Sequence, residues 1–199
     1  MTLVDFPPQA PGPSAPLIAI RRLSRPLVWV VTGLIVAVVL VLGIMFAAML
    51  FYDGPRLLAR PGGLQILLMS TPPPIPEGWS TAGSLPLVQR LALVASGGMM
   101  MGPALAVLWT LRRLFRLYAE GIVLEPVNAR LLQLIAVWLV AYAVAPTLGH
   151  LLVTAAGFHD EGWLRMDSLQ ALLAGLMLLV IARVMQLGSE VQDDASRFV

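Results

Sequence analysis

The chain has 199 residues, of which 58% are hydrophobic and 12% are charged, and its mean hydropathy is +0.84. Soluble globular domains carry about 25% charged residues, so this composition excludes an ordinary soluble domain. The net charge is only +2, from 13 arginines and 11 acids, and the chain has no lysine. The absence of cysteine excludes disulfides, thiolate nucleophiles and cysteine metal sites.

Four long apolar runs dominate the sequence and predict the fold class. Each run reaches the roughly 20 helical residues that cross a bilayer. We therefore predict an all-α integral membrane protein, a four-transmembrane-helix bundle over residues 26–199, preceded by a disordered, proline-rich tail over residues 1–25. The predicted spans lie at about residues 27–52, 85–111, 131–155 and 168–187.

The first apolar run follows three arginines, as in a signal peptide, but it is about 25 residues long, whereas a secretory apolar region has about 7–15. This length favours an uncleaved first span. Pro26 stands where that helix can begin, at the first helical position.

The longest connection, residues 53–84, is rich in proline and glycine. Its apolar stretch Leu64–Met69 is too short to span, so we expect it at the membrane interface or packed on the bundle. Tyr52 and Trp79 are placed like members of an aromatic belt.

The connection 112–130 has the clearest local pattern. Its apolar residues continue the second helix beyond the membrane, with Arg112, Arg113 and Arg116 on the polar side. Gly121 is expected to end this helix and Pro126 to begin the next one. Asp167 is expected to cap the fourth helix in a capping box with Gln170.

The distribution of arginine predicts the orientation. The N-terminal flank and the 112–130 connection hold seven arginines, and the other two connections hold fewer, balanced by acids. By the positive-inside rule, both termini face the cytoplasm. No basic face is free to meet a duplex, so direct nucleic-acid binding is not expected; the lipid bilayer is the expected partner.

Small residues at four-residue spacing predict close packing of helices in lipid. They could form the interior of the bundle, which we favour, or a homo-oligomer interface. The residues concerned are Gly98 and Gly102 with Ala106, then Ala141, Ala145 and Gly149, and finally Ala171 and Gly175.

The sequence holds no recognisable catalytic constellation and no cofactor motif, which favours a non-enzymatic protein. Metal binding by His150, or by His159 with Asp160 and Glu161, stays open, although an ordinary interfacial cluster is the preferred interpretation. The consecutive methionines Met99–Met101 point in different directions on a helix and cannot converge on one ion.

Arg183 lies about one turn inside the predicted fourth span. One interpretation is that it reaches to the membrane surface as an anchor. The other is that it pairs with an acid, either Glu120 or Glu190, and thereby couples the second connection to the fourth helix.

Two stretches carry a family resemblance. They are Leu111–Gly121 followed by Pro126-Val127-Asn128, and Ile181–Met185 leading to Asp193–Val199. Together they resemble a bacterial family of small four-helix inner-membrane proteins catalogued as a domain of unknown function, DUF2975, over roughly residues 85–199. Leu124 and Glu125 depart from the family pattern. Members are often encoded beside a helix-turn-helix regulator. The resemblance therefore implies that a protein of the bacterial inner membrane has a DNA-binding protein as its partner.

The leading functional hypothesis is a non-enzymatic membrane protein that senses or sequesters a cytoplasmic partner through residues 112–130 and the C-terminal tail. The alternatives are a structural or assembly subunit that binds other membrane subunits, and a transport component. The candidate interaction residues are Arg183, Glu120, Arg112, Arg113, Arg116, Gly121 and Asn128.

Overall fold

The structure is a computed structural model that describes residues 15–54, 56–60, 63–66, 75, 79–123, 125–158 and 166–197. Within these ranges, the side chains of residues 15–17, 60, 63–66 and 189–197 are not described. Four long helices account for most of the described chain: α1 (Ala15–Phe51), α2 (Leu87–Glu120), α3 (Pro126–Ala155) and α4 (Met166–Arg197).

All four helices contain a segment that is long and apolar enough to cross a membrane. These candidate spans are Ile18–Phe51, Leu87–Glu120, Pro126–Ala155 and Met166–Gly188. Large apolar side chains along them are exposed, among them Trp29, Ile44, Met177 and Val180. Such surfaces are suited to lipid rather than to water. The predicted helical architecture is confirmed, and it is that of a multi-pass membrane protein.

The first helix begins earlier than the sequence indicated. It starts at Ala15, so Pro26 lies inside it instead of at its first position. Proline removes one backbone hydrogen bond and normally bends or breaks a helix. Helices with strongly apolar sequences tolerate proline, because neighbouring groups and small backbone adjustments satisfy the freed carbonyl.

The helices pack in chain order as an antiparallel row. Among the described residues, α1 packs on α2, α2 on α3 and α3 on α4, and non-consecutive helices are in no more than marginal contact. Arg21 of α1 meets Glu120 of α2, which defines the basic end of the row. Asp53 after α1 meets Arg90 of α2, which defines the loop end.

The apolar interior of the row lies mainly between α2 and α3. Leu114 of α2 packs with Leu131 and Ile135 of α3, and Leu178 of α4 covers part of this cluster. Helix α3, which packs on both α2 and α4, is the most buried of the four candidate spans.

A small antiparallel sheet lies in the 53–84 connection, where the sequence predicted no strands. It comprises β1 (Leu57–Arg60), β2 (Gly63–Ile66) and β3 (Ser80–Thr81) in the order β2-β1-β3. Leu57 and Ala59 of β1 join a buried cluster with Met49, Ala82 and Leu85. The connection therefore packs on the loop end of the row. Residues 67–69 of the apolar stretch lie outside the described part of the chain.

The start of α4 also differs from the prediction. Asp167 is the second residue of the helix and not the residue before it. Its Oδ2 accepts a hydrogen bond from the Tyr142 hydroxyl at 3.4 Å. In the first turn, the carboxylate interacts favourably with the positive end of the helix dipole, so the acid fits the helix start.

Candidate functional site

The basic end collects arginines from all four helices. Two acids, Glu120 and Glu125, lie at the same end among the residues with described side chains. On α1 and α2, five of these arginines are exposed, and we call them the basic platform: Arg21, Arg22, Arg25, Arg113 and Arg116. Arg130 of α3 and Arg183 of α4 are exposed as well, whereas Arg112 is half-buried.

The platform is organised around the end of α2. Gly121 adopts the left-handed conformation with φ 88°, and the backbone N–H of Ile122 donates to the carbonyl oxygen of Leu117. This is the glycine-ended cap that the sequence predicted. The Arg21 guanidinium donates to the carbonyl oxygen of Glu120 at 2.5 Å, where a cation is favoured by the helix dipole.

Gly121 also makes room for Arg21. A Cβ atom added at this glycine would lie 2.5 Å from Nε and NH2 of Arg21. Any other residue would therefore have to move the guanidinium as well as adopt a left-handed backbone conformation. The structure thus brings the predicted residue Gly121 together with an arginine of α1 that the sequence had assigned only to orientation.

Arg116 and Glu120 form an ion pair one turn apart on α2, with Nε 3.2 Å from Oε1. Both side chains are exposed, and such pairs contribute only about 0.3–0.5 kcal/mol. Arg113 is exposed, and no hydrogen-bond partner for it occurs among the described side chains. Most of the charge of the platform therefore remains available to a partner.

A second contact joins α1 and α2 further into the row. Arg112 donates from Nε to the hydroxyl of Thr32 at 2.8 Å, and that hydroxyl donates to the carbonyl oxygen of Val28. The Arg112 guanidinium also lies 5.6 Å from the centre of the Trp109 ring, within the range of a cation–π interaction. These contacts give Arg112 a structural role.

Asn128 fixes the connection between α2 and α3. Its side chain is fully buried, and Nδ2 donates to the carbonyl oxygen of Ile122 at 3.0 Å. Its Oδ1 atom is buried with no hydrogen-bond partner in the described chain. Pro126 is the first residue of α3, as the sequence predicted. The Gly121 cap and the Asn128 hydrogen bond therefore fix the two ends of the turn between α2 and α3.

Arg183 and Glu120, which were considered as an ion pair, have different partners. Arg183 donates from NH1 to Oε1 of Gln186 at 3.1 Å. Gln186 in turn donates to Oε1 of Gln133 on α3 at 3.5 Å. The physical reason is the arrangement in a row, in which α3 lies between α2 and α4. Glu190 lies beyond the described side chains.

The small residues divide into two classes. A Cβ atom added at Gly149 of α3 would overlap the Ser96 hydroxyl of α2, and one added at Gly175 of α4 would lie 3.0 Å from the carbonyl oxygen of Ala136. Ala145 is also buried. These three residues lie in helix contacts within the chain, while Ala141 is half-buried.

Gly98 and Gly102 lie on an open side of α2. Among the described residues, and apart from the backbone of α2 itself and the chain neighbours, no atom lies within 4 Å of a Cβ built at either position. The neighbouring Ser96 contacts α3 and Gly97 contacts Phe46 of α1, so successive residues of α2 serve different faces. This side of α2 does not pack on any other part of the chain that the structure describes.

At the loop end, Arg90 has a set of polar contacts that the sequence analysis did not predict. It donates to the carbonyl oxygens of Leu85, Leu50 and Gly83 and to Oδ1 of Asp53, at 2.7–3.2 Å. Its position just inside an apolar span was the available signal, because a charge at such a place needs partners.

His150 is half-buried near the loop end of α3, and it has an interaction within the chain. Among the described residues, no group of three metal-ligating side chains occurs. His159, Asp160 and Glu161 lie outside the described residues.

One comparison with known proteins assigns the chain to a family. Residues 73–196 match the family model described as "Protein of unknown function (DUF2975)". The chain belongs to this family. No curated protein and no solved structure matches the chain. The match includes α2, α3 and α4 with the turn between Gly121 and Asn128, so these features belong to the family domain.

Proposed function

We propose that this DUF2975 protein is a non-enzymatic membrane anchor that holds a soluble cytoplasmic partner at its basic end. The observation that carries the proposal is the basic platform, five exposed arginines on two helices that are joined to each other. The surface would comprise residues 112–130, the start of α1 and the C-terminal end of α4. Its charge favours an acidic protein surface.

The lengths of α1 and α2 support a platform outside the hydrocarbon. Their 37 and 34 residues correspond to about 55 and 51 Å of helix at about 1.5 Å per residue. The hydrocarbon core is only about 30 Å thick. If the loop end lies at one membrane surface, the basic ends of these helices extend beyond the other surface.

The orientation with both termini in the cytoplasm is part of the proposal. An even number of antiparallel spans places the start of α1 and the end of α4 on one side, and the excess of arginine at that end favours the cytoplasmic side. The side chains of the C-terminal tail from residue 189 are not described, although α4 continues as a helix to Arg197.

Co-purification from native membranes tests the proposal. The double variant Arg22→Gln, Arg113→Gln removes two exposed charges from the platform. The matched control Arg56→Gln, Arg60→Gln removes two charges at the loop end. We expect the platform variant to lose at least about tenfold of a co-purifying soluble protein and the control to retain it, because complementary charge governs such docking. A helix-turn-helix regulator is the expected partner. Equal recovery by both variants would contradict the proposal.

A second candidate is an assembly subunit of a larger membrane complex. The observation in its favour is the open side of Gly98 and Gly102, since small residues allow another membrane helix to approach closely. Recovery of other membrane subunits that is lost in Gly98→Leu and kept in the platform variant would favour this function.

A further inference from the structure

The contact between α3 and α4 near the basic end contains a row of polar groups on a surface that otherwise faces lipid. Gln133 of α3, Gln186 of α4 and Arg183 of α4 are joined by hydrogen bonds. Around them, Val180, Val184 and Leu187 are more than half exposed, as apolar side chains are when acyl chains cover them. The polar row therefore lies at the edge of a lipid-facing surface.

If α4 enters the hydrocarbon near its first residue, Met166, Arg183 lies about 26 Å along the helix, close to the opposite boundary of a core about 30 Å thick. The guanidinium is bonded to Gln186, one turn nearer the end of the span.

Arg130 lies near the same end of the bundle, in the first turns of α3. It precedes Gln133 by one turn and shares the exposed face of α3 with Gln133, Leu134 and Val137. Because α3 begins at the basic end, the N-terminal tilt of its side chains brings Arg130 towards the membrane surface. Two arginines therefore border the Gln133–Gln186 bridge from opposite helices.

The charge at this position is not neutralised by the described side chains. Arg183 donates from NH1 to a neutral glutamine, and no carboxylate accepts from its Nε or NH2 in the part of the chain with described side chains. An arginine beside hydrocarbon is stabilised by charge-assisted hydrogen bonds, and its planar fork fits the oxygens of a phosphate.

We propose that Arg183 and Arg130, with Gln186 and Gln133 between them, bind the headgroup phosphate of an anionic phospholipid at the contact between α3 and α4. This site is separate from the basic platform on α1 and α2. The lipid would lie with its acyl chains on the exposed apolar surface of α4. Basic sites between membrane helices on the cytoplasmic side are suited to such headgroups.

Native mass spectrometry of the full chain tests the site. Protein purified in detergent is titrated with phosphatidylglycerol. We expect Arg183→Leu to lower the bound fraction about tenfold and Arg183→Lys to lower it less, since an ammonium lacks the bidentate fork. Gln186→Leu should lower it about threefold by releasing the Arg183 side chain. Arg56→Leu removes an exposed charge at the loop end and should leave lipid binding unchanged.

Two further arms separate the sources of phosphate. Inorganic phosphate in excess should not displace the lipid, because the acyl chains contribute to its affinity. Phosphatidylcholine should bind at least about fivefold more weakly than phosphatidylglycerol. Equal lipid binding by the unchanged protein and Arg183→Leu, when both unfold at the same temperature, overturns the proposal. Displacement by inorganic phosphate also overturns it, in favour of a site for the free anion.

Discussion

Arg90 shows how one charged side chain stabilises the loop end of the row. Its guanidinium bonds to three backbone carbonyls and one carboxylate, and its side chain is only 13% exposed. The carbonyls belong to Leu50 at the end of α1, to Gly83 in the 3₁₀ segment Ala82–Ser84, and to Leu85 immediately after that segment. Helix ends leave such acceptors unpaired. One residue therefore connects three parts of the backbone.

Arg90→Leu should destabilise the protein by about 3 kcal/mol, because buried carbonyls lose their donor. Asp53→Asn should cost less than about 1 kcal/mol, since the Asp53 side chain is 75% exposed and its ion pair is screened. Thermal unfolding in detergent measures both variants. Equal losses in the two variants would show that the ion pair, and not the carbonyl contacts, stabilises this end.

At the level of elements, glycines determine how closely the helices approach. Gly149 allows α3 to contact Ser96 of α2, and Gly175 allows α4 to contact the backbone of α3 at Ala136. In lipid, where no hydrophobic force drives helices together, such close contact supplies the packing energy.

Gly149→Leu and Gly175→Leu should each destabilise the fold by about 1–3 kcal/mol, because the added side chain meets atoms that cannot move away freely. Gly98→Leu and Gly102→Leu are the matched controls, since no described atom of another element lies within 4 Å of a Cβ at either position. Unfolding in a denaturing detergent, followed by circular dichroism, compares the four variants. A loss in Gly98→Leu as large as that in Gly149→Leu would contradict the packing described above.

The end of α2 at Gly121 and the start of α3 at Pro126 were predictable because each depends on local backbone geometry. The sheet in the 53–84 connection was not, since the apolar residues of β1 resemble any short buried run until their partners are known. Among the small residues, spacing alone could not separate Gly149 from Gly98, because that distinction depends on which face of the helix meets a neighbour.

At the scale of the whole molecule, the row arrangement determines which residues can cooperate. The row separates Glu120 on α2 from Arg183 on α4 by a complete helix, and it leaves α1 attached mainly through α2. Near the basic end, hydrogen bonds from Arg21 and Arg112 join α1 to α2. The basic platform and the α3–α4 polar row are consequently two separate surfaces at one end of the protein.

Both surfaces depend on the basic end facing the cytoplasm, and site-specific labelling tests this orientation most directly. The chain has no cysteine, so single cysteines at Ser84 and Glu125, both exposed, can be labelled without background. In intact cells, an impermeant maleimide should label the cysteine at position 84 and leave the one at 125 unlabelled. Both should react after the membrane is permeabilised. Labelling at 125 but not at 84 in intact cells would contradict the account.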